Sequence, residues 1–184
     1  MRLHSSCAAA FLLCAFATSA RAAPFGAPSG PPAAQSGPWL ELQAGPSFQH
    51  ASGSRGLGSG PLLRMSLGME LGDIFVAELW AAGNISSAPL STPGDRAQVG
   101  GGAGARLLLH RFDPEGKLAL WAHAGAGLLS AAAPDTPQGL AGFAGPSLVF
   151  QPLLRRFALG MEIDAVASRG SLGFALLPSL RCAL

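Results

Sequence analysis

A chain of 184 residues with a formal charge of +2, 12% charged side chains and 49% hydrophobic ones lacks the polar skin of a soluble domain, in which about a quarter of residues are charged. Its length suits a single domain. No basic run points to a nucleic-acid partner.

The amino terminus reads as a cleaved secretory signal peptide over residues 1–22. Arg2 and His4 give it a positive start, Ala8–Ala17 form a short apolar core, and Ala20-Arg21-Ala22 supplies the small-x-small pattern of a cleavage site. Its removal would take Cys7 and Cys14 and leave Cys182, so disulfides cannot staple the fold internally. Residues 23–38, APFGAPSGPPAAQSGP, are uncharged Pro, Gly, Ala and Ser and read as a tether. The folded domain is expected over 39–184.

From Trp39 onward, short segments alternate with period two. In 40–48, Leu40, Leu42, Ala44, Pro46 and Phe48 oppose Glu41, Gln43, Gly45 and Ser47. In 62–71, Leu63, Met65, Leu67, Met69 and Leu71 oppose Arg64, Ser66, Gly68 and Glu70. The same split runs through 98–110, which carries Arg106, and through 157–167, where Glu162 and Asp164 share one parity. Segments 74–83 (with Glu78), 117–129 (with His123), 140–150 and 172–184 (with Arg181) complete eight candidate strands. Successive strand side chains point to opposite faces, so this period predicts strands. A helical alternative would use 118–133 or 139–154, but both are interrupted by His, Gly or Pro and fall short of the ~20 apolar residues a span requires.

Connections alternate long and short: 50–60 is long, Gly72-Asp73 tight, 85–97 long, 113–116 short. Strands of about 9–11 residues joined this way predict an all-β, eight-stranded antiparallel up-and-down transmembrane barrel. The apolar parity faces lipid, because an Arg on that face costs roughly 2–4 kcal/mol at the midplane. The polar parity then fills the lumen with Glu41, Arg64, Glu70, Glu78, Arg106, His123, Glu162, Asp164 and Arg181, joined by His110 on parity alone. Buried charges need partners, so these residues are expected to form ion pairs. Trp80 and Trp121 turn inward towards a groove left by Gly100, Gly102, Gly104, Gly125 and Gly127. Pro46, Pro146 and Pro178 are expected at strand ends or bulges.

The arrangement over 39–184 resembles the small eight-stranded outer-membrane barrels, the group of the OmpA transmembrane domain and OmpX. Leu180-Arg181-Cys182-Ala183-Leu184 keeps their terminal alternation, with Leu in place of the final aromatic residue. The resemblance implies a bacterial outer-membrane location, with lipid, lipopolysaccharide, the barrel-assembly machinery and envelope proteins as partners. Arg55, Arg96 and Arg169 are expected in external loops, where lipopolysaccharide phosphates would meet them. The role implied is structural or interactive; a narrow channel and a lipid-modifying enzyme are the alternatives.

An enzyme is not expected. Barrels resembling lipid A deacylases carry a His-x-Ser pair, and after residue 22 only His50-Ala51-Ser52 matches it, in a Gly/Ser-rich stretch. Glu162 and Asp164 have the spacing of an acid–base pair, yet filling a lumen explains that spacing equally. His110 and His123 lack the Cys or carboxylate spacing of a metal site, so no metal is expected. The glycine run at 99–106 precedes no helix pattern, and no cofactor is expected.

Overall fold

Period-two alternation becomes eight strands in the computed structural model, which describes residues 37–51, 59–87, 95–113, 117–131, 139–152, 156–168 and 171–184. The strands are β1 (Pro38–Ala51), β2 (Gly60–Glu70), β3 (Phe75–Ser87), β4 (Asp95–Arg111), β5 (Leu118–Ala131), β6 (Gly139–Phe150), β7 (Phe157–Ser168) and β8 (Ser171–Ala183). They form one closed antiparallel barrel in sequence order. β8 returns to β1 through pairs running from Trp39↔Ala183 to Ala51↔Ser171. Closure leaves no open sheet edge, which a lipid environment demands because unpaired backbone groups have no water there. Among the described residues no helix is long and apolar enough to cross a membrane. Residues 1–22, expected as a signal peptide, and residues 23–36 of the expected tether lie outside the described residues.

The two parities separate cleanly across the wall. Leu42, Leu63, Leu79, Leu107, Ile163 and Leu180 are exposed on the outer face. Glu41, Gln43, Ser66, Ser147, Glu162 and Asp164 are fully buried inside. A soluble barrel would reverse this, since burying apolar surface is its main driving force. Here the apolar surface is turned outward as a continuous belt, the arrangement of a membrane barrel.

Connections 71–74, 112–117 and 151–156 lie at the end that holds Pro38 and Ala183; we term it the turn end. Ala51, Gly60, Ser87, Asp95, Ala131, Gly139, Ser168 and Ser171 mark the opposite, loop end. Leu71 N–H bonds Phe75 O at 2.8 Å to close the first turn. Gly72 takes φ +106° there, which a β-carbon would strain. At the second turn both oxygens of Asp113 accept backbone N–H groups, from Leu118 at 2.8 Å and Lys117 at 3.0 Å. The bond from Leu118 is the main cause that holds this exposed carboxyl below its ordinary value of 3.8. A lowered carboxyl pKa stabilises the fold above the unfolded value, and the contribution disappears as pH falls through the folded value. Asp113→Ala is therefore expected to lower the urea midpoint modestly at pH 7 and to leave it unchanged in acid well below 3.8. Parallel urea titrations of the two proteins across that pH range would check this.

Two local features depart from simple alternation. Between β4 and β5 the register shifts, with Leu108 opposite Trp121 but His110 opposite Leu120. The extra residue is a β-bulge that moves every later side chain to the other face. His110 consequently stands exposed on the outside, edge-on to Phe112 at 4.8 Å, and does not join the lumen as parity alone expects. The prolines, expected at strand ends or bulges, sit inside strands with their rings outward. The β1–β8 ladder passes from Gln43↔Ser179 directly to Ser47↔Ala175, across Pro46 and Pro178. Likewise β6–β7 passes from Ala144↔Ala165 to Ser147↔Glu162 across Pro146. Proline has no N–H to give a ladder, so each is accommodated by skipping pairs on one side of its strand.

Candidate functional site: a buried ion-pair network

Arg106 is the hub of the lumen. β4 carries it inward opposite Val76 of β3 and His123 of β5. Its Nη2 lies 2.7 Å from Glu41 Oε2, its Nε donates to Glu78 Oε2 at 2.8 Å, and its Nη1 lies 2.8 Å from Glu162 Oε1. One planar guanidinium with five N–H donors thus holds carboxylates from β1, β3 and β7. A lysine ammonium could not span three acceptors set around a plane. The one lysine of the chain, Lys117, stands at a turn instead.

Arg64 on β2 forms a second node. It pairs with Glu162, receives support from Gln43 through its Nε, and places Nη1 2.8 Å from Asp164 Oδ2. His123 Nε2 lies 2.5 Å from Asp164 Oδ1, and Nδ1 lies 3.6 Å from Glu162 Oε2. Ser147 on β6 donates to Glu162 Oε1 at 3.1 Å. Arg181 on β8 extends the network towards the turn end through Glu41 at 3.2 Å. All eight strands therefore contribute a polar side chain to one connected layer. Apart from Arg181, its charged members and His123 are at most 4% exposed, so this layer fills the cross-section.

Aromatic rings cover both sides of the layer. Trp39 lies under Arg181, 4.1 Å from ring to guanidinium, with Arg106 at 5.2 Å. Gly68 makes room for it, because a β-carbon there would overlap the indole. Towards the loop end Phe143 stacks on Arg64 at 4.0 Å, and Trp80 meets Phe143 edge-on at 5.5 Å. Trp80 rests against Gly125 and Gly127, and its Nε1 donates to Ala103 O at 3.3 Å. Cation–π contacts of this desolvated kind contribute about 2 kcal/mol.

Of the nine lumen residues named from sequence, eight stand in this network. Glu70 does not: it is half-exposed at the turn-end limit of β2, away from the central layer. Sequence reasoning passed over Trp39, Gln43, Phe143 and Ser147 as site residues. Parity placed Gln43 opposite the lipid-facing residues, but an amide carries no charge and drew no attention as a partner. Among the expected loop cations, Arg55 and Arg169 lie outside the described residues. Arg96 is in strand, not loop, opposite Ser86, because β3 and β4 continue pairing as far as Ser87↔Asp95. Its side chain lies outside the described residues. His50 is exposed at the loop end of β1, and its companion Ser52 lies outside the described residues.

His123, Glu162 and Asp164 offer three donor atoms within 4.8 Å of one another, a spacing that a metal ion could use. Their surroundings do not suit one. Arg64 sits against both carboxylates and Arg106 against Glu162, so a cation would enter beside two guanidiniums already in place. The same occupancy leaves Glu162 and Asp164 poorly disposed to act as an acid–base pair. Their oxygens already face Arg64, Arg106, His123 or Ser147.

Solved structures share this architecture. Neisserial surface protein A aligns with a TM-score of 0.58 at 16% identity, over 81% of this chain and 98% of its own. Ail, the attachment invasion locus protein of Yersinia pestis, gives 0.53 at 15% identity, over 79% and 98%. The outer membrane protein OprG from Pseudomonas aeruginosa gives 0.50 at 10% identity, over 81% and 97%. No protein-family model matches the sequence, and no curated protein does. At these identities the likeness is one of fold.

Proposed function

We propose that this chain, an eight-stranded barrel of the small outer-membrane kind, serves in the bacterial outer membrane as a closed scaffold whose role is structural or interactive. The observation that carries the reading is the filled cross-section at Arg64 and Arg106. Breaking a buried ion pair by removing one partner costs 3–5 kcal/mol, so the layer resists opening. A narrow channel would require both guanidiniums to leave carboxylates they hold at close range. Each carboxylate of the network already faces an arginine, which leaves none of them free for acid–base work.

The contacts of such a scaffold fall to its ends and its belt. The outward Leu, Met and Phe side chains meet lipid, and the loop end would meet lipopolysaccharide or envelope proteins, with Arg55, Arg96 and Arg169 as phosphate-binding cations. The terminal alternation of β8 suits the barrel-assembly machinery. In planar bilayers the purified protein should give no discrete conductance steps at neutral pH. Regular steps from the unaltered protein would refute the closed scaffold. The combined replacement of Arg55, Arg96 and Arg169 by Ser should reduce lipopolysaccharide retained on purification, with folding unchanged by gel mobility.

A further inference from the structure

Among its described members the ion-pair layer holds more carboxylates than arginines. Glu41, Glu78, Glu162 and Asp164 supply four anions, and Arg64, Arg106 and Arg181 supply three cations. All four acids are at most 4% exposed, so bulk water cannot offset the surplus charge. One further group in contact with them can become a cation: His123.

The groups around His123 come from four strands. From β7, Asp164 Oδ1 lies 2.5 Å from Nε2 and Glu162 Oε2 lies 3.6 Å from Nδ1. From β4, Arg106 stands opposite in the ladder with its guanidinium against Glu41, Glu78 and Glu162. From β2, Arg64 meets the same two carboxylates as the imidazole. From β6 come Gly145 in the ladder, the uncharged Phe143 ring at 5.4 Å, and Ser147, which donates to Glu162.

The imidazole thus has a carboxylate beside each nitrogen. A neutral ring has one N–H and one bare nitrogen with a lone pair. In either tautomer that lone pair would face an anionic oxygen. With the proton on Nε2, the bare atom is Nδ1, which is buried and has no hydrogen-bond partner among the described residues. A ring protonated at both nitrogens turns both approaches into attractions. At 3.6 Å the Nδ1 contact is then an ion pair, too long for a hydrogen bond.

We infer that His123 is an imidazolium in the folded barrel, the fourth cation of the layer, and that closing the ring captures one proton. The layer is then a pH-sensitive lock. It is tight in neutral and mildly acidic medium, and in alkaline medium it loses the cation between Glu162 and Asp164. An unfolded chain releases its histidine protons near pH 6.5. Where the barrel holds a proton that the unfolded chain has released, stability falls as pH rises. His50 and His110 are exposed and add little to this difference.

Nitrogen-15 NMR of the full chain in lipid nanodiscs reads the ring directly. The chain is labelled at histidine, with His4, His50 and His110 replaced by glutamine so that His123 alone reports. At pH 7 both ring nitrogens should carry protons. A bare nitrogen at that pH would overturn the inference, including the case in which the proton sits on Asp164 instead. Urea unfolding of vesicle-inserted protein tests the linkage. From pH 7 to pH 8 the folding equilibrium constant should fall about five- to ten-fold, ten-fold being the limit for one proton. His123→Gln can still donate to Asp164 but cannot become a cation, and should lose this dependence. A change below two-fold in the unaltered protein, or an equal slope in His123→Gln, would overturn the lock. If His123→Gln does not fold, the slope of the unaltered protein and the NMR spectrum decide without it.

Discussion

Replacing Arg106 by methionine is expected to destabilise the barrel more than any other single lumen change, by about 3–5 kcal/mol. The methionine fills most of the volume but leaves Glu41, Glu78 and Glu162 without the cation that lies 2.7–2.8 Å from each. An uncompensated buried carboxylate either stays charged at high cost or takes up a proton, and both weaken the fold. Adding Glu78→Gln to Arg106→Met should restore part of the loss, because the second change removes one of the stranded charges. Urea unfolding of vesicle-inserted protein, followed by heat-modifiable gel mobility, measures both variants. A loss for Arg106→Met below 1 kcal/mol, or no recovery in the double variant, would contradict the network as the source of stability. Coupling of this kind is what a double-mutant cycle isolates.

Leu79→Arg is expected to cost about 2–4 kcal/mol in lipid, the penalty of placing arginine on the lipid face near the midplane. Leu79 is 61% exposed, and its cross-strand partners are Leu67 and Ala103. In a soluble protein the same exposure would make the substitution harmless or helpful. The sign of the effect therefore distinguishes a membrane barrel from a water-soluble one. Leu42→Arg, two strands away on β1 at 50% exposure, should behave alike. Refolding yield into phospholipid vesicles and urea midpoint would report both; wild-type values would exclude lipid contact at these positions.

The barrel was legible in the chain because its main signal is a strict period of two. Each strand shows two faces of different chemistry, and the lipid penalty for Arg64 and Arg106 chooses between them. The clustering of charges was legible for the same reason: parity sends Glu41, Arg64, Glu162 and Asp164 to one side. Parity has no memory of an inserted residue, so the bulge at Leu108/His110 hid the reversal of His110. Nor does parity give depth. Glu70 shares a face with Arg64 but sits two turns of the pleat below Ser66, near the rim, where Arg181 and Arg111 are the cations that act on it. Uncharged partners such as Gln43 and Ser147 emerge only when the register across strands is known. Cross-strand neighbours such as the Phe143 ring over Arg64 depend on the same register.

The way the charges are distributed among the strands bears on how the barrel assembles. Both carboxylates that hold Arg64 come from β7, about 100 residues later in the chain, at a separation of 98 from Arg64 to Glu162. Before β7 docks, the early strands carry a guanidinium with no anion to receive it, and it must stay hydrated. A half-formed sheet therefore cannot enter hydrocarbon cheaply. Arg181 in turn meets Glu41 only when the last strand reaches the first. Contacts this remote in sequence slow folding and gather it into one late step. Insertion and closure should thus occur together, with the ion-pair layer acting as a latch that shuts only on the complete ring.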